Sequence, residues 1–455
     1  MVHVPSARRR RLQPDLPLFL TMAMIVLLWI AGGASREDTL SQVVVRAGCW
    51  SILVVAILAG PRPALRANRS VLLLLLAAIV LPLLQLIPLP PAWWQTLPGR
   101  DILVIPGEPV PWRPLTMTPG ATRNALASLI VPSTMFVLLA QANERTFRWM
   151  PTILLGMIGF AVLLGLLQFS GAGFNNPLLN DTPGVVSGIF ANRNHFALFI
   201  ALGCLITPVW AFTNRNGIKW RGPIAAGLML LFVLTILATG SRTGILLGGL
   251  SVTFAATLVG KRLRRRLAGA PKWVVPAVVL TVIFVVAGIV VLSFAADRAT
   301  SINRVLSTEG GEDMRTRALP TVLHMVGSYM PTGSGFGGFD PIFRIHEPFG
   351  LLKLTYFNQA HNDYLGIALD GGIPGLALLL AGIVWWLNAS VRVWRMRADE
   401  LGISGQLGSL VILLVLIASI TDYPARTPTV MAIIVIAAMW MVRARGAKSE
   451  PALPA

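Results

Sequence analysis

Few residues of this 455-residue chain can do chemistry, and they gather in short polar segments between apolar ones. The most informative segment is Gln359-Ala360-His361-Asn362-Asp363-Tyr364-Leu365, followed by Asp370-Gly371-Gly372-Ile373-Pro374-Gly375. It sets an imidazole, an amide and carboxylates where a loop enters a long apolar helix. Burial there is costly for such groups unless they are paired or used. His361 titrates near neutral pH and can move a proton, although a hydrogen-bonded loop anchor would also place a histidine there.

Arginines form the second set. Arg242, in Gly240-Ser241-Arg242-Thr243-Gly244, makes up almost the whole connection between two apolar stretches. Arg193 lies in Gly188-Ile189-Phe190-Ala191-Asn192-Arg193-Asn194-His195-Phe196-Ala197, where a loop enters another. A helix N-terminus adds backbone N–H donors to such a corner. Arg315 and its neighbour Arg317 lie in Met314-Arg315-Thr316-Arg317, ahead of the glycine-rich run Pro331-Thr332-Gly333-Ser334-Gly335-Phe336-Gly337-Gly338-Phe339. Positive charge at that depth needs an anionic partner, and an acidic side chain or a bound phosphate would each serve. Taken singly, each arginine reads as structural. Taken together on one face with His361, they suit a phosphate-bearing substrate.

The elements that must position these residues are membrane helices. Hydrophobic residues are 55% of the chain and charged residues 13%. Stretches of about 17 to 25 apolar residues, the length that crosses the hydrocarbon core, recur near 16–33, 42–60, 70–89, 123–141, 150–170, 194–212, 222–240, 243–260, 273–295, 363–388, 404–421 and 428–443. Only helices satisfy the backbone in lipid over such lengths, so the predicted fold is an all-α polytopic membrane protein of about twelve spans.

Orientation follows from charge. With Arg8 to Arg11 cytoplasmic, that side comprises 1–15, 61–69, 142–149, 213–221, 261–272, 389–403 and the C-terminal tail from Arg443. It holds 24 of the 38 Lys and Arg residues and 5 of the 19 acids, leaving 14 of each outside, so the entire +19 is internal (24 − 5 = 19). Both termini are then cytoplasmic. The run Lys261-Arg262-Leu263-Arg264-Arg265-Arg266 reads as a topology anchor near anionic lipid, which removes nucleic acid as a partner. Four arginines ahead of a stretch ending Ala31-Gly32-Gly33-Ala34-Ser35 also resemble a signal peptide, but the stretch is long for one and more spans follow at once. Cys49 and Cys204 fall within spans and read as small core residues.

Three external segments exceed simple connectors: 90–122, rich in Pro and Trp and suited to the interface, 171–193, and 296–362 between the ninth and tenth spans. Ser301 and Ser334 in the last are expected to face the outside. No Asp-x-Asp pair or His/Glu cluster appears there, so neither a metal nor another cofactor is implied.

In order, Gly188-x-Phe190-x-Asn192-x-Asn194-His195-x-Ala197, the Ser241-Arg242 turn, Arg315 before Pro331-x-x-Gly333-x-Gly335-x-Gly337, and His361-Asn362-x-x-Leu365 before Gly372-x-x-Gly375 resemble the O-antigen ligase and Wzy-type polysaccharide polymerase superfamily. The resemblance spans about 150 to 430, with Asp370 where that family more often has Glu. It divides the chain into N-terminal spans at 1–149 with loop 90–122, a catalytic membrane domain at 150–443 with periplasmic loop 296–362, and a tail at 444–455. It implies an inverting, metal-independent glycosyltransferase of the bacterial inner membrane with a GT-C-like fold and a periplasmic site. Such an enzyme moves a glycan from undecaprenyl pyrophosphate to a sugar hydroxyl, with lipid A-core as acceptor in a ligase and the next lipid-linked repeat in an O-antigen or exopolysaccharide polymerase. His361 is then the expected base, and Arg242 and Arg315 the expected pyrophosphate ligands. Arg193, His195, Asn192, Asn362, Asp363 and Arg317 are the expected substrate contacts. A flippase for the same lipid would call for ionisable groups along a midplane path, whereas here they cluster at span ends.

If Arg242 grips phosphate through fork geometry as well as charge, Arg242→Lys is impaired in glycan transfer and Arg242→Ala more so, at unchanged protein level. Full transfer by Arg242→Ala in a purified assay removes Arg242 from the site.

Overall fold

A computed structural model describes residues 15–171, 176–179, 184–212, 220–267, 314–352, 357–396 and 400–446. Its helices are α1 (Leu16–Ala31), α2 (Leu40–Ala59), α3 (Arg69–Gln85), α4 (Pro119–Gln141), α5 (Glu144–Phe169), α6 (Arg193–Phe212), α7 (Arg221–Thr239), α8 (Arg242–Leu267), α9 (Met314–Tyr329), α10 (Phe339–His346), α11 (Asp363–Trp394), α12 (Glu400–Ala418) and α13 (Pro428–Gly446). Among the described residues, a two-residue antiparallel ribbon, Pro88–Leu89 against Arg113–Pro114, is the strand structure.

Nine of the described helices are long and apolar enough to cross a membrane. α1 and α3 are shorter apolar helices, of 16 and 17 residues. At about 1.5 Å per residue they fall just short of a hydrocarbon core of roughly 30 Å. Each coincides with an expected span, and the expected span at 273–295 lies outside the described residues.

α6 is the axis of the bundle. Its sequence is apolar on every face, as a helix surrounded by others must be, and 83% of its span window is buried. It packs on α5, α7, α8 and α12. A side chain at Gly244 of α8 would run into Ala197 of α6, so the two helices cross at small residues that let their backbones approach. This crossing brings Arg193 and Arg242, the first residues of α6 and α8, to one corner.

α11 is 32 residues long but broken at Gly372, whose φ of 56° and ψ of −146° are not helical. A Cβ there would meet the Pro331 carbonyl, so only glycine fits. A break within or near a membrane frees backbone groups that must find partners. The glycine-rich loop supplies them: Ser334 N–H donates to Leu369 O at 2.8 Å, Gly335 N–H to Asp370 O at 3.0 Å, and Ile373 N–H to Pro331 O at 2.8 Å. Gln85, at the end of α3, donates to Asp370 O at 2.9 Å and accepts from Phe336 N–H at 2.9 Å. Buried Arg100 in the segment 90–122 ties Leu115 O and Gly333 O together at 2.7 and 2.9 Å. That segment is thus more than an interfacial anchor. Trp93 and Trp112 are exposed, but Trp94 is buried and donates to Pro114 O.

A second, smaller apolar cluster lies outside the spans, where α9, α10 and the first half of α11 bury Val322, Met325, Tyr329, Phe339, Phe343 and Leu369. Ser334, expected to be reachable from outside, is fully buried by these contacts. Phe349, 90% exposed, is the position that reports on this face. A cysteine at Phe349 should react with a membrane-impermeant thiol reagent in intact spheroplasts, and labelling only after lysis would reverse the orientation read from charge.

Candidate active site around Asp422

The turn between α12 and α13 holds an acid that the motif reading passed over. Asp422 is 2% exposed, and groups from three other chain segments converge on it, joined by the N–H of its own neighbour Tyr423. Its Oδ2 accepts from the amides of Asn192 at 3.1 Å and Asn194 at 2.7 Å, and from Arg315 Nη2 at 3.4 Å. Its Oδ1 accepts from its neighbour Tyr423 N–H at 3.0 Å and from His361 Nδ1 at 3.2 Å, with His195 Nε2 at 3.5 Å. Burial alone would raise its pKa, but the two imidazoles and their hydrogen bonds outweigh that and hold the carboxyl well below its usual range. It is therefore an anion and can only accept.

That fixes the tautomer of His361. With Nδ1–H donated to Asp422, the basic nitrogen is Nε2. Burial pushes the His361 pKa below the ordinary imidazole value, assisted by Arg315 and His195 and partly offset by Asp422. Neutral His361 is thus the form present at neutral pH. Its ring packs on Phe357 and edge-on to Tyr423, at centroid distances of 5.1 and 4.9 Å. The backbone is held as tightly. His361 is the one non-glycine residue at positive φ among the described residues, at 48°. Such strain persists only where the surroundings over-determine it.

Asn362 and Asp363 supply that constraint. Asn362 caps α11, its Oδ1 accepting from Leu365 N–H at 3.0 Å while its amide donates to Ile420 O at 2.9 Å. Asp363 N–H donates to Ser419 O at 2.9 Å. Arg315 Nη1 donates to Thr421 O at 2.8 Å. Three successive carbonyls just past α12 are thereby satisfied by the segments that carry the candidate residues. The Asp363 carboxylate accepts from Ser419 Oγ and Ala425 N–H and lies 3.6 Å from Arg426, which also donates to Asp370 at 3.2 Å. The side chains of Asn362 and Asp363, expected as substrate contacts, brace the segment that carries His361, and Asp363 also lines the neighbouring cavity. Asp370 clamps the loop through Arg426 and Gly337 N–H.

The other candidates sort by geometry. Asn192 and Asn194 flank Arg193 and both donate to Asp422, which places Arg193 at the same corner. Arg242 sits between Ser241, whose hydroxyl donates to Asn194 Oδ1 at 2.8 Å, and Thr243, whose hydroxyl is 3.1 Å from that of Thr421. Arg193 and Arg242 open α6 and α8, so two helix N-termini add positive potential there. His195 is buried edge-on to Tyr423 at 5.1 Å. Arg317 points elsewhere and donates to Gly350 O at 2.9 Å. Two residues apart on a helix is about 200° around its axis, so Arg315 and Arg317 cannot serve one site.

A cavity of about 580 Å³ opens beside the site, lined by Asn358, Gln359 and Asp363 on either side of His361 in the chain. Its polar wall includes Arg46, Asp340 and Arg426, while Pro82 of α3 and Leu378 and Leu379 of α11 give it an apolar floor.

Residues 227–380 match the family model described as O-antigen ligase. The match includes Arg242, Arg315, His361 and Asp370, and ends before Asp422. No curated protein matches the chain.

Because Arg315 faces Asp422 and Arg317 does not, Arg315→Ala should lower turnover by about 100- to 1,000-fold, the scale for losing one preorganised charge-stabilising donor. Arg317→Ala should stay within about tenfold of wild type. The reverse order in a purified assay would assign the phosphate to Arg317.

Proposed function

From a chain that carries a domain of the O-antigen ligase and Wzy-type polymerase superfamily, we infer that this multi-pass membrane enzyme transfers a glycan from undecaprenyl pyrophosphate to a sugar hydroxyl at the periplasmic face. The observation that carries the reading is the His361–Asp422 pair at 3.2 Å beside Arg315. Asp422 holds Nδ1–H, so Nε2 accepts the proton of the acceptor hydroxyl as its oxygen attacks the anomeric carbon. The bond from that carbon to the pyrophosphate oxygen breaks, the electron pair leaves with the pyrophosphate, and a single displacement inverts the anomeric centre. Arg242, Arg315 and Arg193, with the N-termini of α6 and α8, meet the developing charge. Asn192 and His195 hold Asp422.

The neighbouring cavity suits the substrates. Asn358, Gln359 and Asp340 offer donors and acceptors for sugar hydroxyls, and the apolar floor against α3 and α11 suits a prenyl chain or the acyl chains of lipid A. We take lipid A-core as the acceptor, with the catalytic unit at 150–443. In a deletion strain, loss of all long chains from lipopolysaccharide with lipid-linked polymer accumulating supports this. Core bearing a single repeat assigns an O-antigen polymerase instead, and loss of a secreted polymer with normal lipopolysaccharide an exopolysaccharide polymerase.

His361→Ala should abolish transfer while donor binding persists. Asp422→Asn should lower kcat by roughly 100- to 10,000-fold, since it replaces a carboxylate that can only accept by an amide that can donate to Nδ1 and favour the wrong tautomer. The pH profile gives an independent sign. Asp422 raises the His361 pKa, so in Asp422→Asn the residual activity should persist to lower pH than in wild type. Unchanged kcat and pH profile in Asp422→Asn would sink the dyad. Purified protein that translocates lipid-linked sugar without forming a glycosidic bond would sink the enzyme reading.

A further inference from the structure

At the far end of α11 lies a second cavity, of about 800 Å³, that the transfer chemistry does not use. Arg66 and Arg69 reach it from the start of α3, Arg392 and Arg395 from the end of α11, and Arg445 from the end of α13. Among the described residues no carboxylate lines it. From His361 to Arg392 is on the order of 45 Å of helix, more than the hydrocarbon thickness. The cavity therefore lies at the opposite membrane face, which the charge pattern assigns to the cytoplasm.

Five guanidinium groups around one hollow repel one another unless an anion sits among them. Planar forks that donate in pairs match phosphate oxygens. The apolar part of the lining, Trp385, Met396 and Val442, is at the level of the span ends. The Trp385 indole N–H is buried without an acceptor, a donor in want of one. Within about a turn of these arginines, Leu73 of α3 and Leu387 and Val391 of α11 are 62%, 48% and 48% exposed, so acyl chains have apolar helix faces to lie along. We propose that this cavity binds the headgroup of an anionic phospholipid of the inner leaflet, the two phosphates of cardiolipin meeting the five arginines. Basic hollows between helix ends at a cytoplasmic face have the chemistry for such headgroups.

The test uses the purified full chain in detergent, with thermal unfolding followed by tryptophan fluorescence. Cardiolipin at about 100-fold over its Kd should raise the midpoint by roughly 5 °C, whereas phosphatidylcholine should not. Arg66→Gln/Arg69→Gln and Arg392→Gln/Arg445→Gln should each lose most of that rise. Native mass spectrometry of the wild type should show cardiolipin retained through purification, which keeps the proposal testable should a variant fail to fold. An equal rise with phosphatidylcholine, an equal rise with inorganic pyrophosphate that both double variants lose, or a full rise with cardiolipin in both double variants would overturn it. The first would show detergent exchange alone and the second a free-anion site. Each outcome is independent of glycan transfer, so failure here leaves the His361–Asp422 reading standing.

Discussion

The site depends on one buried negative charge. Asp422 carries a full anion almost out of water, a situation that is unfavourable by several kcal/mol unless the charge is surrounded by donors. Six groups supply them, from the entry to α6 and its first turn, from α9, from the loop before α11 and from the turn itself. Because each donor is bound to the same two oxygens, the carboxylate sets their mutual distances. Remove it and Arg315, the two imidazoles and the Asn192 and Asn194 amides lose the one acceptor they share. His361 and Arg315 are thus placed by one and the same carboxylate.

A second constraint is the break in α11. Ending a helix at Gly372 frees carbonyls that lipid cannot satisfy, and the glycine-rich loop and Gln85 close that deficit, while Arg426 holds the Asp370 carboxylate beside them. The consequence is mechanical. The half-helix that begins just after His361 is fastened at its start to the turn past α12 and at its end to the loop from Pro331 to Phe339. Asp363 and Asp370, one at each end, share Arg426. Breaking such a buried pair by removing one partner typically costs about 3–5 kcal/mol. The two acids therefore clamp the half-helix that follows His361 at both of its ends.

Charge is distributed to match. At the His361 face arginines come with acids and amides, so their positive potential is focused on one corner. At the opposite face they gather around a hollow with no described acid. The apolar helices between the two faces carry almost no ionisable groups at mid-depth, which suits an enzyme working at one surface better than a carrier with a path through the centre.

The sequence by itself determined the helical membrane architecture, since hydropathy and length leave a lipid-spanning backbone no other form. Eleven of the twelve expected spans coincide with helices, and the charge bias marked one side. The motif order also picked out His361, Arg242 and Arg315, because costly groups at span ends are visible without coordinates. Asp422 was legible only as a lone acid in a short turn on the arginine face. Its meaning lay 61 residues from His361 and 230 from Asn192, in pairings that local pattern does not encode. The opposite directions of Arg315 and Arg317, the hydrogen bonds of Asn362, Asp363 and Asp370, and the burial of Ser334 were likewise decided by tertiary structure. Each depends on which way a side chain points once distant segments meet, and that direction is fixed by packing and backbone satisfaction rather than by residue type.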